Sequence, residues 1–598
     1  MPTEGTPWGA TWYAATMVDV PERTALAGDI DVDVCVIGAG LAGLTAAREL
    51  ARRGWSVGVL EARRVAWNAS GRNAGLVAPG FAERLEAIVE RVGLRRAKEL
   101  WALSTAGVDY VRTTIRETEM PGVEPVQGWL VVRRTDDEEE VLRLVAMLRV
   151  DFGVNAEACP TEEVREVLRT PAYYQAVHMP EAFHVHALNY ALGLAGAAER
   201  AGALIYEDSP AVALDVLGVR KRIHTPNGRI RANHIVLAGG PHLGDVFPPI
   251  AGTVVPVASY IATTAPLGER LAKAITYPGV VADTRRAGDY YRVIGGDRLM
   301  WGGRITSRLS LPRRLPALMR RHILRVYPQL ADVEIEYAWP GTMSYAIHKM
   351  PQIGELSPGV WLAGAFGGHG LNTTAMAGDL IARAIIERDD RWRLFSAYEL
   401  VWAGGKIGPA AAQVLYWSMQ LRDAIEERLS HRRESAPQRA DAVTPVAAGP
   451  ATAEVPLPVA APPAGTTAEV PLPVFAEPAF ASAPEVAHAG AVIEDAQDEN
   501  PQQAFEAAAA AARSIAEEFA QARARAEREW SQAPQPQPLL AGSHEEARPD
   551  EAAPVKIGAF TPQFMSSAEP MPIAEKTRPR EMAAAPHPHW PRRGTSDE

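Results

Sequence analysis

The sequence has little cysteine and no obvious set of metal ligands. Its 598 residues include two cysteines, Cys35 and Cys159, which excludes a disulfide framework and a cysteine-based metal centre. His184 and His186 stand close together, but the sequence offers no third ligand beside them. We therefore expect no metal site.

Basic charge and long apolar runs are also scarce. The formal net charge is -11, which gives no basic footprint for nucleic acid, so no nucleic-acid partner is expected. No apolar run is long enough for a transmembrane segment. Residues 1–28 lack the basic segment and apolar run of a secretory signal. We expect a protein of the reducing cytoplasm.

The clearest motif spans residues 31–61. An apolar strand at 32–37 leads into a turn, a helix follows, and a second strand at 57–60 ends in Glu61. The turn has small or apolar residues throughout: Gly38, Ala39, Gly40, Leu41, Ala42 and Gly43. Such glycines permit a tight turn, a close approach to a pyrophosphate and close helix packing, while the terminal acid suits ribose hydroxyls. The pattern predicts a dinucleotide-binding unit. A glycine turn without a ligand is the disfavoured alternative.

Two more segments rich in glycine and small residues follow. The loop at 69–75 reads Ala-Ser-Gly-Arg-Asn-Ala-Gly, and an ordinary surface loop is its alternative interpretation. Far along the chain, a strand at 360–363 leads into a glycine-rich run at 364–374, and a helix at 375–387 follows at once. Free N–H groups and a positive helix end there suit an electron-rich partner. The two junctions together indicate a long ligand held at both ends.

Helices and a hairpin interrupt the parallel pattern. Apolar residues three and four apart predict helices at 81–116 and 136–149, and the alternation at 290–304 around Gly295 and Gly296 predicts an antiparallel hairpin. We therefore expect an α/β fold in which a Rossmann-like cofactor domain is interleaved with an antiparallel-sheet second domain of the α+β type.

Several motifs together are typical of one protein family. They lie at 12–16, 38–43 with Glu61, 69–75, 289–292, 301–304, 351–354, 367–370, Tyr416 and 421–423. In these motifs the chain resembles the FAD-dependent oxidoreductases of the D-amino-acid-oxidase superfamily, and within them the gamma-glutamylputrescine oxidoreductase group. The resemblance covers about residues 8–430. The chain departs from the family pattern at Asn68, where glycine is common, and at Ala187, where a proline is expected.

The resemblance implies FAD bound in an extended form. Its adenosine end would lie at the first glycine turn, and its ring would lie between the 70–73 loop and the distant glycine run. The residues implied to bind it are Gly38, Ala39, Gly40, Leu41, Ala42, Gly43, Glu61, Ala62, Arg63, Ser70, Gly71, Arg72, Asn73, Val212, Gly367, Gly368, His369, Gly370 and Leu371.

The resemblance also implies a reaction. A neutral amine gives a hydride from its α-carbon to flavin N5, the imine hydrolyses to an aldehyde and ammonia, and dioxygen or a quinone reoxidises the flavin. With dioxygen, hydrogen peroxide is released. Two alternatives stay open. One is a dehydrogenase or oxidase of secondary amines or amino acids, of the sarcosine or D-amino-acid type, that uses a quinone. The other is a flavin-containing scaffold whose tail is the interaction module.

Candidate catalytic residues follow from the same resemblance. Trp339 stands before Pro-Gly-Thr, where amino-acid-oxidising relatives often carry an arginine that clamps the substrate carboxylate. This change favours an alkylamine over a plain α-amino acid. Arg292 and Arg304 could anchor a distal carboxylate or form salt bridges on a sheet edge. Lys349 could assist dioxygen or be a solvated loop residue, and His369 more often packs beside the flavin than carries protons.

The expected domain boundaries are as follows. Residues 1–29 form an arm, and 396–433 form a closing helix. Residues 30–80, 185–253 and 346–395 form the FAD-binding domain. Residues 81–184 and 254–345 form the substrate domain.

The last third of the sequence has a different composition. We expect residues 434–598 to be a disordered tail rich in alanine and proline, in which one octet occurs at 452–459 and again at 467–474. A heptad-like pattern predicts a helix at 502–530. This helix could pair with itself or with a protein partner, or it could be a marginal helix without a partner.

Overall fold

The computed structural model describes residues 7–435, apart from 245, 286–287, 308–311, 313 and 406–407. The predicted tail beyond Ser435, including the helix predicted at 502–530, lies outside the described residues. Within the described part, no helix combines the length and the apolar character needed to cross a bilayer.

The described strands form two sheets, one of eight strands and one of nine. In chain order the strands are β1 (Gly28–Ile37), β2 (Val57–Leu60), β3 (Leu76–Val77), β4 (Val126–Val132), β5 (Glu157–Cys159), β6 (Ala176–His184), β7 (Leu204–Tyr206), β8 (Ala213–Asp215), β9 (Lys221–Thr225), β10 (Gly228–Leu237), β11 (Val255–Thr264), β12 (Val280–Asp283), β13 (Tyr290–Ile294), β14 (Arg298–Thr306), β15 (Ile335–Tyr345), β16 (Gln352–Ser357) and β17 (Val360–Gly364).

The described helices pack around these sheets, together with short 3-10 turns. They are α1 (Trp12–Ala15), α2 (Leu41–Arg52), α3 (Ala69–Arg72), α4 (Leu85–Thr118), α5 (Glu138–Phe152), α6 (Thr161–Leu168), α7 (Ala187–Arg200), α8 (Pro248–Ala251), α9 (Glu269–Ala272), α10 (Leu315–Val326), α11 (Gly370–Glu387) and α12 (Gly408–Ser435).

The first sheet has the strand order β16-β17-β10-β1-β2-β7, with the β8–β9 hairpin attached to β10. From β17 to β7 all neighbours are parallel. Alternate residues of β1 enter two different cores: Val34 and Val36 face the helices, while Cys35 and Ile37 pack on the opposite side. Burial on both faces explains why this strand is almost continuously apolar.

The second sheet has the order β15-β11-β14-β13-β12-β4-β6-β3, with β5 beside β6. It is antiparallel except where β12 pairs with β4. The predicted hairpin is confirmed as β13 and β14, which join through Gly295 and Gly296, both with positive φ. Strand β13 is central, with β12 on one side and β14 on the other.

The mixed α/β fold predicted from the sequence is confirmed. Strands of the first sheet come from residues 28–60, 204–237 and 352–364, whereas those of the second come from 76–184 and 255–345. The domain boundaries themselves stay a prediction. Several local details differ from expectation. The loop at 69–75 opens with α3, and α4 is broken at Gly93, whose φ of 79° lies outside the helical region. The helix expected at 375–387 begins earlier, at Gly370, and the closing helix expected at 396–433 begins later, at Gly408.

Candidate active site

The first glycine turn joins β1 to α2 in a space too small for side chains. Gly38 has φ +105°, and a Cβ on it would lie 2.8 Å from the carbonyl oxygen of Ala238. A Cβ on Gly43 would lie 2.0 Å from the carbonyl oxygen of Gly38. Helix α2 therefore begins pressed against the turn. Its N-cap residue Gly40 has no side chain to cap the helix.

Glu61 closes this turn. Its carboxylate accepts hydrogen bonds from the N–H of Ala39 and the N–H of Arg63, both at 2.9 Å. Burial raises the pKa of Glu61, although these N–H groups oppose the shift. A carboxylate has further lone pairs, so its expected contact with a ribose is compatible with its role in holding the turn.

The loop at 69–75 lies directly on the turn. Ser70 Oγ accepts a hydrogen bond from the N–H of Leu41 at 3.0 Å. The Asn73 amide donates to the carbonyl oxygens of Ala69 and Ser70, at 3.0 and 2.9 Å, and accepts from the N–H of Gly75 at 2.8 Å. This side chain fixes the end of α3. The loop is therefore part of the site and not an independent surface feature.

The distant glycine run forms another wall. Gly367 has φ +60°, and a Cβ there would lie 2.7 Å from the ring of Tyr345. His369, the residue before α11, places Nε2 3.1 and 3.2 Å from the carbonyl oxygens of Ala78 and Pro79. Burial lowers the pKa of His369. The neutral ring therefore donates to these carbonyls, which supports the packing role over proton transfer.

One cavity of about 650 Å³ is lined by all three segments. A shared cavity is compatible with a long ligand touched at both ends, which stays a prediction. The predicted residues that line it are Gly38, Gly40, Leu41, Ala42, Glu61, Ala62, Arg63, Ser70, Asn73, Val212, Gly367, Gly368, Gly370 and Leu371. The predicted residues that support it from behind are Ala39, Gly43, Gly71, Arg72 and His369.

Three of the candidate catalytic residues, Trp339, Lys349 and His369, do not line this cavity. Trp339 is buried, and its Nε1 donates to the carbonyl oxygen of Arg72 at 3.1 Å. Lys349 has φ 55° and places Nζ 3.5 Å from the carboxylate of Glu83. Arg304 lies on β14, and its side chain is outside the described part of the chain. Their catalytic roles stay predictions.

Asn68 has contacts that the sequence did not reveal. Its amide Nδ2 lies 2.7 Å from His242 Nε2, and its Oδ1 accepts from the N–H of Thr342 at 3.1 Å. All three residues line the cavity. The departure from glycine at this position thus links the end of β10 to β15. Gly239 and Gly240, which follow β10 and also line the cavity, are the sequence signal that could have pointed to this segment.

Ala187, the other departure, is the first residue of α7. His186 is the N-cap of this helix, and its Nδ1 accepts from the N–H of Asn189 at 3.1 Å. Its Nε2 lies 3.0 Å from Thr16 Oγ1 in the N-terminal arm. Proline favours the first helical position but is not needed there, so alanine leaves the helix start intact.

The buried ring of His186 should make the protein less stable in mild acid. Burial, followed by the charge of Arg292, lowers its pKa from 6.5 to about 4. As pH falls through this window, the unfolded chain takes up a proton that the folded chain does not, so the free energy of unfolding falls by up to about 3 kcal/mol. His186→Asn keeps a capping side chain without this titration.

Chemical denaturation between about pH 7 and about pH 4.5 measures the difference. Other buried histidines titrate in both proteins, so stability should fall with acid in each. The native protein should lose more than the His186→Asn variant. Equal losses of stability in the two proteins would show that the pKa of His186 is not lowered in the folded state.

Comparison with known proteins identifies the family to which the chain belongs. A model of the FAD dependent oxidoreductase family, DAO, matches residues 33–384. The probable oxidoreductase OrdL of Haemophilus influenzae is 32% identical over 395 residues, which are 64% of this chain and 90% of that protein. Gamma-glutamylputrescine oxidoreductase of Escherichia coli is 29% identical over 390 residues, 65% of this chain and 91% of that protein.

Solved structures share the fold. Glycine oxidase from Bacillus cereus superposes with a TM-score of 0.51 at 20% identity and covers 61% of this chain and 98% of its own. L-proline dehydrogenase from P. horikoshii gives 0.52 at 20% identity, with 63% and 100% covered. The family match, the glycine turn with its acidic residue and the shared cavity agree. The chain belongs to the DAO family of FAD-dependent oxidoreductases.

Proposed function

We propose that this protein oxidises an amine of the gamma-glutamylputrescine type and releases an aldehyde, ammonia and hydrogen peroxide. Family membership gives the coarser activity, the FAD-dependent oxidation of an amine or amino acid. Two observations support the finer proposal. A relative of that name matches over most of its length, and the position of the carboxylate clamp is occupied by a buried indole, Trp339.

The charged residues around the cavity distinguish an amine substrate from an amino-acid substrate. Among the described residues that line it, the guanidinium group present is that of Arg63, which follows Glu61. The wall formed by 342–344 and 366–368 has no arginine. A bidentate arginine is the usual partner of an α-carboxylate. Its absence from the described wall favours a substrate whose reacting carbon carries an amine and no carboxylate.

The residues present fit FAD. Gly38 and Gly43 leave room for backbone alone, and the start of α2 would face the pyrophosphate, with Glu61 at the ribose. The 70–73 loop and the 367–371 run would hold the ring, with the positive end of α11 near it. When bound, FAD supplies a two-electron acceptor for the α-carbon of the amine.

The protein's own contribution is orientation and control of charge. His369 and Asn372 fix the start of α11 to the segment after β3 through hydrogen bonds to Ala78, Pro79 and Gly80. The substrate amine would lose its ammonium proton to water and react as the neutral amine, whose lone pair assists departure of the hydride. Water would then hydrolyse the resulting imine to the aldehyde and ammonia, and dioxygen would take up the two electrons removed from the amine as hydrogen peroxide.

Anaerobic mixing with a panel of amines tests the substrate. The flavin absorbance should bleach fastest with gamma-glutamylputrescine. It should bleach at least about tenfold more slowly with putrescine, which lacks the glutamyl group and is the matched control, because the glutamyl group supplies binding energy that orients the amine. Bleaching with sarcosine or D-amino acids alone would overturn the proposal. In air, one peroxide per amine identifies dioxygen as acceptor, whereas bleaching without peroxide would contradict the oxidase.

A further inference from the structure

Arg292 is a buried cation on the central strand β13. It is 4% exposed, and its Nη2 donates to Tyr13 Oη at 2.9 Å and to the carbonyl oxygen of Val185 at 3.0 Å. Its Nη1 donates to His184 Nδ1. These partners are neutral groups. None of them supplies a counter-charge to the guanidinium.

Other buried arginines of the described chain have counter-charges. Arg48 pairs with Glu49 at 2.6 Å, and Arg134 pairs with Asp283 at 3.3 Å. Arg292 makes no ion pair with a described carboxylate. A buried charge without a partner is costly, so retention of one at this place suggests that it acts on something outside the protein chain.

The neighbouring histidines do not change this charge. His184 Nε2 lies 3.2 Å from the carbonyl oxygen of Pro278, to which it donates, while Nδ1 accepts from Arg292. Burial, followed by the charge of Arg292, holds the pKa of His184 well below its usual value. His186 is depressed for the same reasons. Both rings are neutral at neutral pH.

The guanidinium lies directly behind the cavity wall. Gly75 lines the cavity, and a Cβ on it would lie 3.0 Å from Arg292 Nη2 and 2.1 Å from the carbonyl oxygen of Val185. Tyr13, which accepts from Arg292, donates to the carbonyl oxygen of Asn73 at 2.8 Å. Arg292 thus approaches the cavity without entering it. This position does not suit the substrate anchor expected from the sequence.

We propose that Arg292 supplies a fixed positive charge behind the Asn73–Gly75 wall of the cavity. This charge raises the reduction potential of the flavin because it stabilises the negatively charged reduced form. A fixed cation in a water-poor interior acts strongly on charge that develops nearby. Neutral groups of Tyr13, Val185 and His184 hold the guanidinium in place without supplying a counter-charge. The inference rests on FAD in this cavity but not on which amine is oxidised.

Dye-coupled reductive titration of the FAD-loaded protein measures the potential. Arg292→Gln should lower the equilibrium constant for flavin reduction at least about tenfold, a shift of about 30 mV to more negative potential for a two-electron couple. Arg292→Lys keeps the charge and should stay within about threefold of the native value. An unchanged potential in Arg292→Gln, or equal shifts in both variants, would overturn the proposal.

A second pair of variants leaves Arg292 in place. His184→Asp puts a carboxylate beside the guanidinium, and His184→Asn is its neutral isostere. The aspartate should neutralise Arg292 and lower the potential relative to the asparagine variant, again by about tenfold in the equilibrium constant. Equal potentials would refute the role of charge even if Arg292→Gln failed to fold. The potentials are measured without any amine. An unchanged potential would therefore refute the role of Arg292, whereas failure to oxidise gamma-glutamylputrescine would refute only the proposed substrate.

Discussion

Gly43→Ala should severely weaken FAD binding. The added Cβ would lie 2.0 Å from the carbonyl oxygen of Gly38 and 3.0 Å from Val36 Cγ1. The first of these atoms is backbone and has no rotamer by which to move away. Helix α2 would have to move off β1, and the turn that carries the N–H groups would move with it. We expect FAD affinity to fall at least about a hundredfold, or about 2.8 kcal/mol.

Fluorescence titration of the apoprotein with FAD measures this loss. Gly196→Ala is the matched control, because Gly196 lies within helix α7 and its Cβ would meet the flexible end of Arg200 at 3.3 Å. That variant should bind FAD normally and gain up to about 1 kcal/mol of stability from better helix propensity. Native affinity in Gly43→Ala would show that close packing at the turn is not needed.

Glu49→Ala should cost about 3–5 kcal/mol of stability. Glu49 is 4% exposed on α2, a helix that packs on α11. Its carboxylate accepts from Arg48 Nη1 at 2.6 Å, from Arg53 Nη1 at 2.7 Å and from Tyr110 Oη at 2.7 Å. Burial opposes ionisation, yet these donors hold its pKa below the usual value. Its removal leaves buried Arg48 with the Tyr110 phenol at 2.8 Å and the half-exposed Glu117 as its remaining polar neighbours.

Chemical denaturation compares this variant with Glu117→Ala. The Glu117 side chain is 48% exposed and lies 3.6 Å from Arg48 Nη2, so its removal should cost less than about 1 kcal/mol. Both variants lower the count of acidic groups by one, which controls for net charge. Equal losses in the two would contradict the buried network and would point to general electrostatics at this surface.

Local chemistry explains which parts of the site could be predicted. The turn at 38–43, Glu61 and the run at 367–371 are each set by neighbours in the sequence, because strand, glycine turn and helix follow one another directly. Their convergence on one cavity follows from parallel strands, whose carboxyl ends share an edge of the sheet. These are the features in which sequence and structure agree.

Long-range strand pairing explains what could not be predicted. The sequence placed Arg292 in a hairpin, which suited a substrate anchor or a sheet-edge salt bridge. The structure places β13 between β12 and β14, so Arg292 is interior. Trp339 similarly donates to Arg72, a residue of a distant loop. Sequence periodicity does not encode the position of a strand within its sheet. Neither the interior position of Arg292 nor the hydrogen bond of Trp339 could therefore be predicted from the sequence.

If this cavity holds FAD, the absorbance spectrum of the purified protein should show visible flavin bands and one FAD per chain. Those bands should disappear on anaerobic addition of gamma-glutamylputrescine. A colourless protein that also fails to bind added FAD would show that the cavity is not a flavin site.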